Sequence, residues 1–191
     1  SVEMKRSPWT DPDASLLKVA GVYNIALEGL EATSSQPHGT GWSTVTVSKA
    51  SGLVALSGSL ADGTAVSLST WMSLSGEVPV FCSLYGGKGS LVGSLTVHVG
   101  SLPPGDNVVG GDVLWMKGDN VVKKSGQVVS YPLGFEAVGL TVGGGYYAAP
   151  QKGTLFLAAG PSTGGEANVH VAFTEQTLSV NVSADGVLSG T

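Results

Sequence analysis

The chain has 191 residues, a formal charge of −5 and 29 glycines, with charged residues at only 12%. Glycine runs at about twice its average usage and charge at about half. These figures exclude collagen, whose glycines keep a strict period, and wholesale disorder, which couples low hydrophobicity to high net charge. They also exclude a transmembrane helix, because no apolar run reaches the ~18 residues a span needs. The length suits one domain or two small ones. The nine Lys and Arg are scattered, which with the acidic balance argues against a nucleic-acid partner.

Residues 1–20 read as a short N-terminal arm. Pro8 and Pro12 break any helix there, and residues 14–20 suit one or two helical turns capped by Asp13. The chain starts at Ser1 without an initiator Met, as a mature or excised segment does.

From residue 21 onward the pattern is β. Val45 and Val47 alternate with Thr44, Thr46 and Ser48. Val66, Leu68, Thr70, Met72 and Leu74 alternate with Ser67, Ser69, Trp71 and Ser73, which predicts a strand with one buried face. Leu91, Gly93, Leu95, Val97 and Val99 follow, then Val169, Val171 and Phe173, and finally Leu178, Val180 and Val182. Asp62-Gly63 predicts a two-residue mirror turn, with φ above zero at both residues. Gly86-Gly87-Lys88-Gly89 predicts a second hairpin turn, with at least one glycine left-handed and Lys88 at the tip. The expectation is an all-β, antiparallel meander forming a barrel or sandwich of about twelve strands. A single domain would cover 21–191, with residues 101–105 as a long loop or sub-boundary. The words Thr44-Val45-Thr46-Val47-Ser48 and Leu56-Ser57-Gly58 recur as Ser179-Val180-Asn181-Val182-Ser183 and Leu188-Ser189-Gly190.

Several words point to chemistry and fail in detail. The Gly86–Ser90 word lacks the Lys-Ser/Thr step of a phosphate loop and precedes a strand instead of a helix. A third glycine at 93 is one residue too far for a dinucleotide fingerprint. No Gly-x-Ser-x-Gly elbow occurs. His38, His98 and His170 lack ligand spacing. Gly76-Glu77 and Glu166 have no fixed separation. A single cysteine, Cys82, allows no internal disulfide and reads as a buried free thiol. The reading is therefore of a non-enzyme with no cofactor.

Two sets of side chains remain. Tyr85, Lys88, Trp115, Tyr131, Tyr146 and Tyr147, with Phe135, flank turns or glycine runs. They read either as platforms for sugars or peptides or as caps that pack on glycines at the barrel ends. Asp106, Asp112 and Asp119, clustered around a twice-occurring Gly-Asp-Asn-Val-Val word, are weak oxygen-ligand candidates for Ca²⁺, against an ordinary turn reading. Gly93, Ala137 and Gly139, placed inside a barrel, would leave room for a small apolar ligand.

The words Leu60-Ala61-Asp62-Gly63-Thr64, Ser83-Leu84-Tyr85-Gly86-Gly87-Lys88-Gly89-Ser90, Leu114-Trp115-Met116-Lys117, Tyr131-Pro132-Leu133-Gly134-Phe135 and Gly145-Tyr146-Tyr147 fall in one order. In that order the chain resembles a β-rich repeat module of large secreted or surface proteins of environmental bacteria, over about residues 21–191. Gly118 stands where that module carries proline. The module has no established activity, so the resemblance implies β-architecture, an extracellular or cell-surface setting, and neighbouring domains or other surface proteins as partners. The functional expectation is a structural, adhesive or assembly module. A ligand-binding barrel, for glycans or a small apolar molecule, and a small outer-membrane barrel are the alternatives.

Overall fold

Alternating Val, Leu and Ile against Ser, Thr and Gly gives each segment one face that gains by leaving water and one that does not. Eight such segments solve this by curling into a single sheet around a shared interior. The computed structural model describes residues 14–29, 36–37, 39–119, 131–148, 180–182 and 188–190. A one-turn helix, α1 (Ala14–Leu17), leads into β1 (Gly21–Gly29), β2 (Thr40–Val47), β3 (Leu53–Ser59) and β4 (Ala65–Trp71). β5 (Glu77–Leu84), β6 (Gly89–His98), β7 (Val108–Lys117) and β8 (Phe135–Tyr146) follow.

All pairings are antiparallel, in the order β4-β3-β2-β1-β8-β7-β6-β5. Sequence neighbours pair throughout, and β1–β8 joins the two halves, so the meander holds. The edge strands β4 and β5 approach each other. The Cys82 Sγ–H on β5 donates to the Ser67 carbonyl on β4 at 3.7 Å, which leaves a nearly closed barrel. Pro79, which has no N–H, sits on edge strand β5, where a missing donor costs least. Cys82 is half-buried, not buried.

Among the described residues the barrel has eight strands, not about twelve, and a ninth and tenth form a separate ribbon. The strand expected over Val169, Val171 and Phe173 lies outside the described residues, and within the barrel Gly110 and Gly111 in β7 face Gly143 and Val142 in β8. Residues 99–107 simply connect β6 to β7 in the same sheet, with a cis Pro103-Pro104 bond.

The interior is filled by Val45, Val54, Val78, Leu91, Leu95, Val113 and similar residues, all nearly inaccessible. Val66 and Met72 face inward and Ser67 and Ser69 outward, as the alternation predicts, although Leu68 is only half-buried. The glycines do not open room inside. Ala137 is exposed, and Gly139 lies between buried Val138 and Leu140, hence on the outer face. Gly93 does face inward, but a Cβ there would collide with the Asp112 carbonyl and lie 2.7 Å from the Val113 Cα. Its missing side chain lets two strands fold tightly against each other at a corner.

Hairpins β1–β2, β3–β4, β5–β6 and β7–β8 turn at one end, here the hairpin end. α1 and the remaining turns lie at the other. α1 belongs to the core: Leu16 is 0% exposed. Residues 1–13, the rest of the expected arm, lie outside the described residues.

The chain divides into two compact units, Ser1–Tyr147 and Ala148–Thr191. In the second, β9 (Val180–Val182) pairs antiparallel with β10 (Leu188–Gly190). The repeated word therefore folds as a hairpin both times, as β2–β3 and as β9–β10.

Candidate functional site

Four words of the sequence converge at the hairpin end. In the β3–β4 turn, the Leu60 N–H donates to the Thr64 carbonyl and the Gly63 N–H to the Leu60 carbonyl, both at 2.9 Å. Only Gly63 is left-handed, at φ 80°. The connection is thus a longer turn than the mirror turn expected. Asp62 is fixed in it by the Thr64 N–H, which donates to Oδ1 at 2.9 Å. That leaves Oδ2 aimed at the barrel.

In the β5–β6 turn, Gly86 and Gly87 take φ of 68° and 91°, as the glycine word predicts. Tyr85 before them is also left-handed, at 54°, a conformation that is uncommon outside glycine, Asn and Asp. It turns the Tyr85 ring back over the barrel mouth, against Gly89, where a Cβ would strike that ring and the Met116 carbonyl. No atom lies within 4 Å of a Cβ added at Gly87. Gly87→Val is therefore expected to cost more than about 1 kcal/mol through backbone strain alone, read by denaturant unfolding. Lys88→Ala, at the exposed tip, should leave stability within about 0.5 kcal/mol of wild type.

On β7, Trp115 and Lys117 both point inward, at 1% and 3% exposure, across a bulge in the β7–β8 register. The pieces then interlock. The Tyr85 hydroxyl donates to Asp62 Oδ2 at 2.8 Å. It accepts from the Trp115 indole N–H at 3.0 Å. Lys117 Nζ lies 3.9 Å from the same Oδ2 and 4.9 Å from the centre of the Tyr85 ring. Phe135 meets Trp115 edge-on at 4.8 Å, and Tyr131 meets Phe135 edge-on at 5.8 Å. A buried carboxylate, a buried amine and a half-buried phenol are thus held together by the β3–β4 and β5–β6 turns and the end of β7.

The opposite end carries a second polar knot. Buried Asn107 donates from Nδ2 to the Lys18 carbonyl at 2.6 Å and to the Tyr23 hydroxyl at 3.1 Å. Its Oδ1 accepts from the Gly100 N–H at 3.0 Å. The Tyr23 hydroxyl donates to the Val19 carbonyl at 2.6 Å. This fastens the segment after α1 under the barrel.

Burial raises the phenol pKa of Tyr85 well above its usual value, and the Asp62 carboxylate adds to the rise. Burial also raises Tyr23, with a smaller contribution from neighbouring Tyr146 and an opposing hydrogen bond from Asn107. In an unfolded chain both phenols ionise near pH 10. Above that pH the folded state holds more protons than the unfolded, so stability falls as pH rises. Stability measured between about pH 9 and 12 is expected to drop, and the drop should flatten in Tyr85→Phe.

The expected aromatic set therefore splits. Tyr85, Trp115 and Tyr131 gather at the hairpin end, with Lys88 exposed nearby. Tyr146 lies at the other end, edge-on to Tyr23 at 5.6 Å and against Gly21, beside Tyr147. The three aspartates are strung along β7 and not brought together. Asp106 sits in the β6–β7 loop, accepting from the Leu102 N–H at 2.8 Å. Asp112 faces outward and accepts from Thr141 at 3.3 Å, and Asp119 follows the strand. Among the described residues no three His, Cys, Asp or Glu are grouped to hold a metal, and no helix is long and apolar enough to cross a membrane. His98 is exposed; His38, His170 and Glu166 lie outside the described residues.

Sequence reasoning missed Asp62, Lys117 and Asn107 as site residues. Lys117 did carry a signal: it continues the inward period of Val113 and Trp115, so a charge stands at a core position. Asn107 carried none. On the outer wall, Phe81, Val92 and Leu114 are aligned cross-strand partners on β5, β6 and β7. They are 70%, 39% and 51% exposed. Near them a groove of about 890 Å³ is lined by Phe81, Lys88, Met116, Phe135 and Glu136 among others. No known protein family, curated protein or solved structure matches this chain.

Proposed function

We propose that the chain contains a non-enzymatic β-barrel module with a structural, adhesive or assembly role in a secreted or surface protein, joined to neighbouring domains. One observation carries this reading. At the hairpin end, Asp62, Tyr85, Trp115 and Lys117 bond to one another and close the barrel instead of presenting their polar groups to solvent. The interior that could hold an apolar ligand carries packed Val, Leu and Ile side chains. An outer-membrane barrel is disfavoured because the mid-strand outer wall carries Ser57, Ser67, Asp112 and Thr141, residues that belong in water and not in lipid.

A second reading, a binding module, draws on the groove beside Lys88 and the exposed row of Phe81, Val92 and Leu114. A thermal-shift and array screen against glycans and small apolar ligands separates the two. The structural module gives no saturable response. Binding that Phe81→Ser and Lys88→Ala both abolish would replace it with the second reading.

A further inference from the structure

The cluster at the hairpin end brings an amine and a carboxyl together away from water. The Lys117 and Asp62 side chains are 1% and 3% exposed, with Nζ 3.9 Å from Oδ2. The carbon that Nζ would attack is bonded to that oxygen, and a reactive approach of Nζ to it is ~3–3.5 Å. Asp62 is held from two sides, by the Thr64 N–H on Oδ1 and by the Tyr85 hydroxyl on Oδ2. The Tyr85 ring and Trp115 cover the pair. The chain has one cysteine and so no internal disulfide.

We propose that Lys117 Nζ and Asp62 Cγ join in an intramolecular isopeptide bond, which ties the β3–β4 turn to the end of β7. The atoms balance without oxidant or cofactor. The reacting forms are the neutral amine and the carboxylic acid, reached from the ion pair when one proton passes from Nζ to the carboxyl. The amine lone pair attacks Cγ, forming the C–N bond. The C–Oδ2 bond breaks, a proton from Nζ passes to the departing oxygen, and one water leaves. The Tyr85 hydroxyl donates a hydrogen bond to Oδ2, the oxygen that departs. It is unchanged at the end.

The test is the intact mass of the purified chain under denaturing conditions, followed by tryptic peptide sequencing. The expected mass is one water below that of the sequence, with the peptides bearing Asp62 and Lys117 recovered as one branched species. Asp62-Gly63 is also a sequence prone to cyclise to a succinimide with the same mass loss, so Lys117→Arg is measured in parallel. The isopeptide bond predicts full mass in Lys117→Arg and in Asp62→Ala. A wild-type chain at full mass overturns the proposal. So does a water loss that survives in Lys117→Arg or maps to an unbranched Asp62 peptide.

Discussion

Trp115→Ala is expected to destabilise the barrel by about 3–5 kcal/mol, the range for removing a buried large aromatic side chain. The indole is 1% exposed, stacks edge-on against Phe135 at 4.8 Å and donates to the Tyr85 hydroxyl at 3.0 Å. Truncation removes its apolar contacts, opens a cavity beneath the hairpin end, and strips one hydrogen bond from the half-buried Tyr85 phenol. Trp115→Phe separates the parts. It restores most of the volume and not the N–H, so its cost should fall to about 1–2 kcal/mol. Denaturant unfolding of both variants measures the difference. A loss under about 0.5 kcal/mol for Trp115→Ala, the range of surface changes, would place the ring outside the core.

The second large effect is expected where no side chain is present. Gly144 on β8 faces Ile25 on β1, the pairing that joins the first four strands to the last four. A Cβ there would collide with the Asn24 carbonyl and lie 2.7 Å from the Ile25 Cα. These are backbone atoms, which cannot turn aside as a side chain tip can. Gly144→Ala should therefore cost about 3 kcal/mol, the upper part of the overpacking range. Gly143→Ala, next to it, has no atom within 4 Å of the added carbon and should fall within about 0.5 kcal/mol of wild type. Two alanines one residue apart thus test which face of β8 looks inward.

The same glycines explain what the sequence makes legible. Hairpins β3–β4 and β5–β6 are readable because each pairs two alternating runs across a short glycine word. The period fixes the inward face of Val66, Met72, Leu91 and Leu95 without tertiary knowledge. The strand number is not readable in that way. Glycine marks turns at Gly63 and Gly86-Gly87, yet at Gly93, Gly111 and Gly144 it marks tight backbone approach inside a strand. One sequence gives no local sign to distinguish the two uses. The site divides similarly. Tyr85, Trp115 and Tyr131 stand out as aromatics beside turns, and the reading of such residues as end caps on glycines fits Tyr85 on Gly89 and Tyr146 on Gly21. What joins Asp62, Tyr85 and Lys117, spread over two turns and the end of β7, is barrel closure, which is a property of the register and not of any one word.

The central pairing of the barrel and the cluster at its hairpin end are tested most directly by proton–proton NOEs in the labelled chain, read at two places. The account predicts contacts between the backbone protons of Ile25 and Gly144 across β1–β8, together with a slowly exchanging Trp115 indole proton in contact with the Tyr85 ring. An indole proton that exchanges freely with water and lacks any Tyr85 contact, or a β1 strand without β8 neighbours, would contradict it.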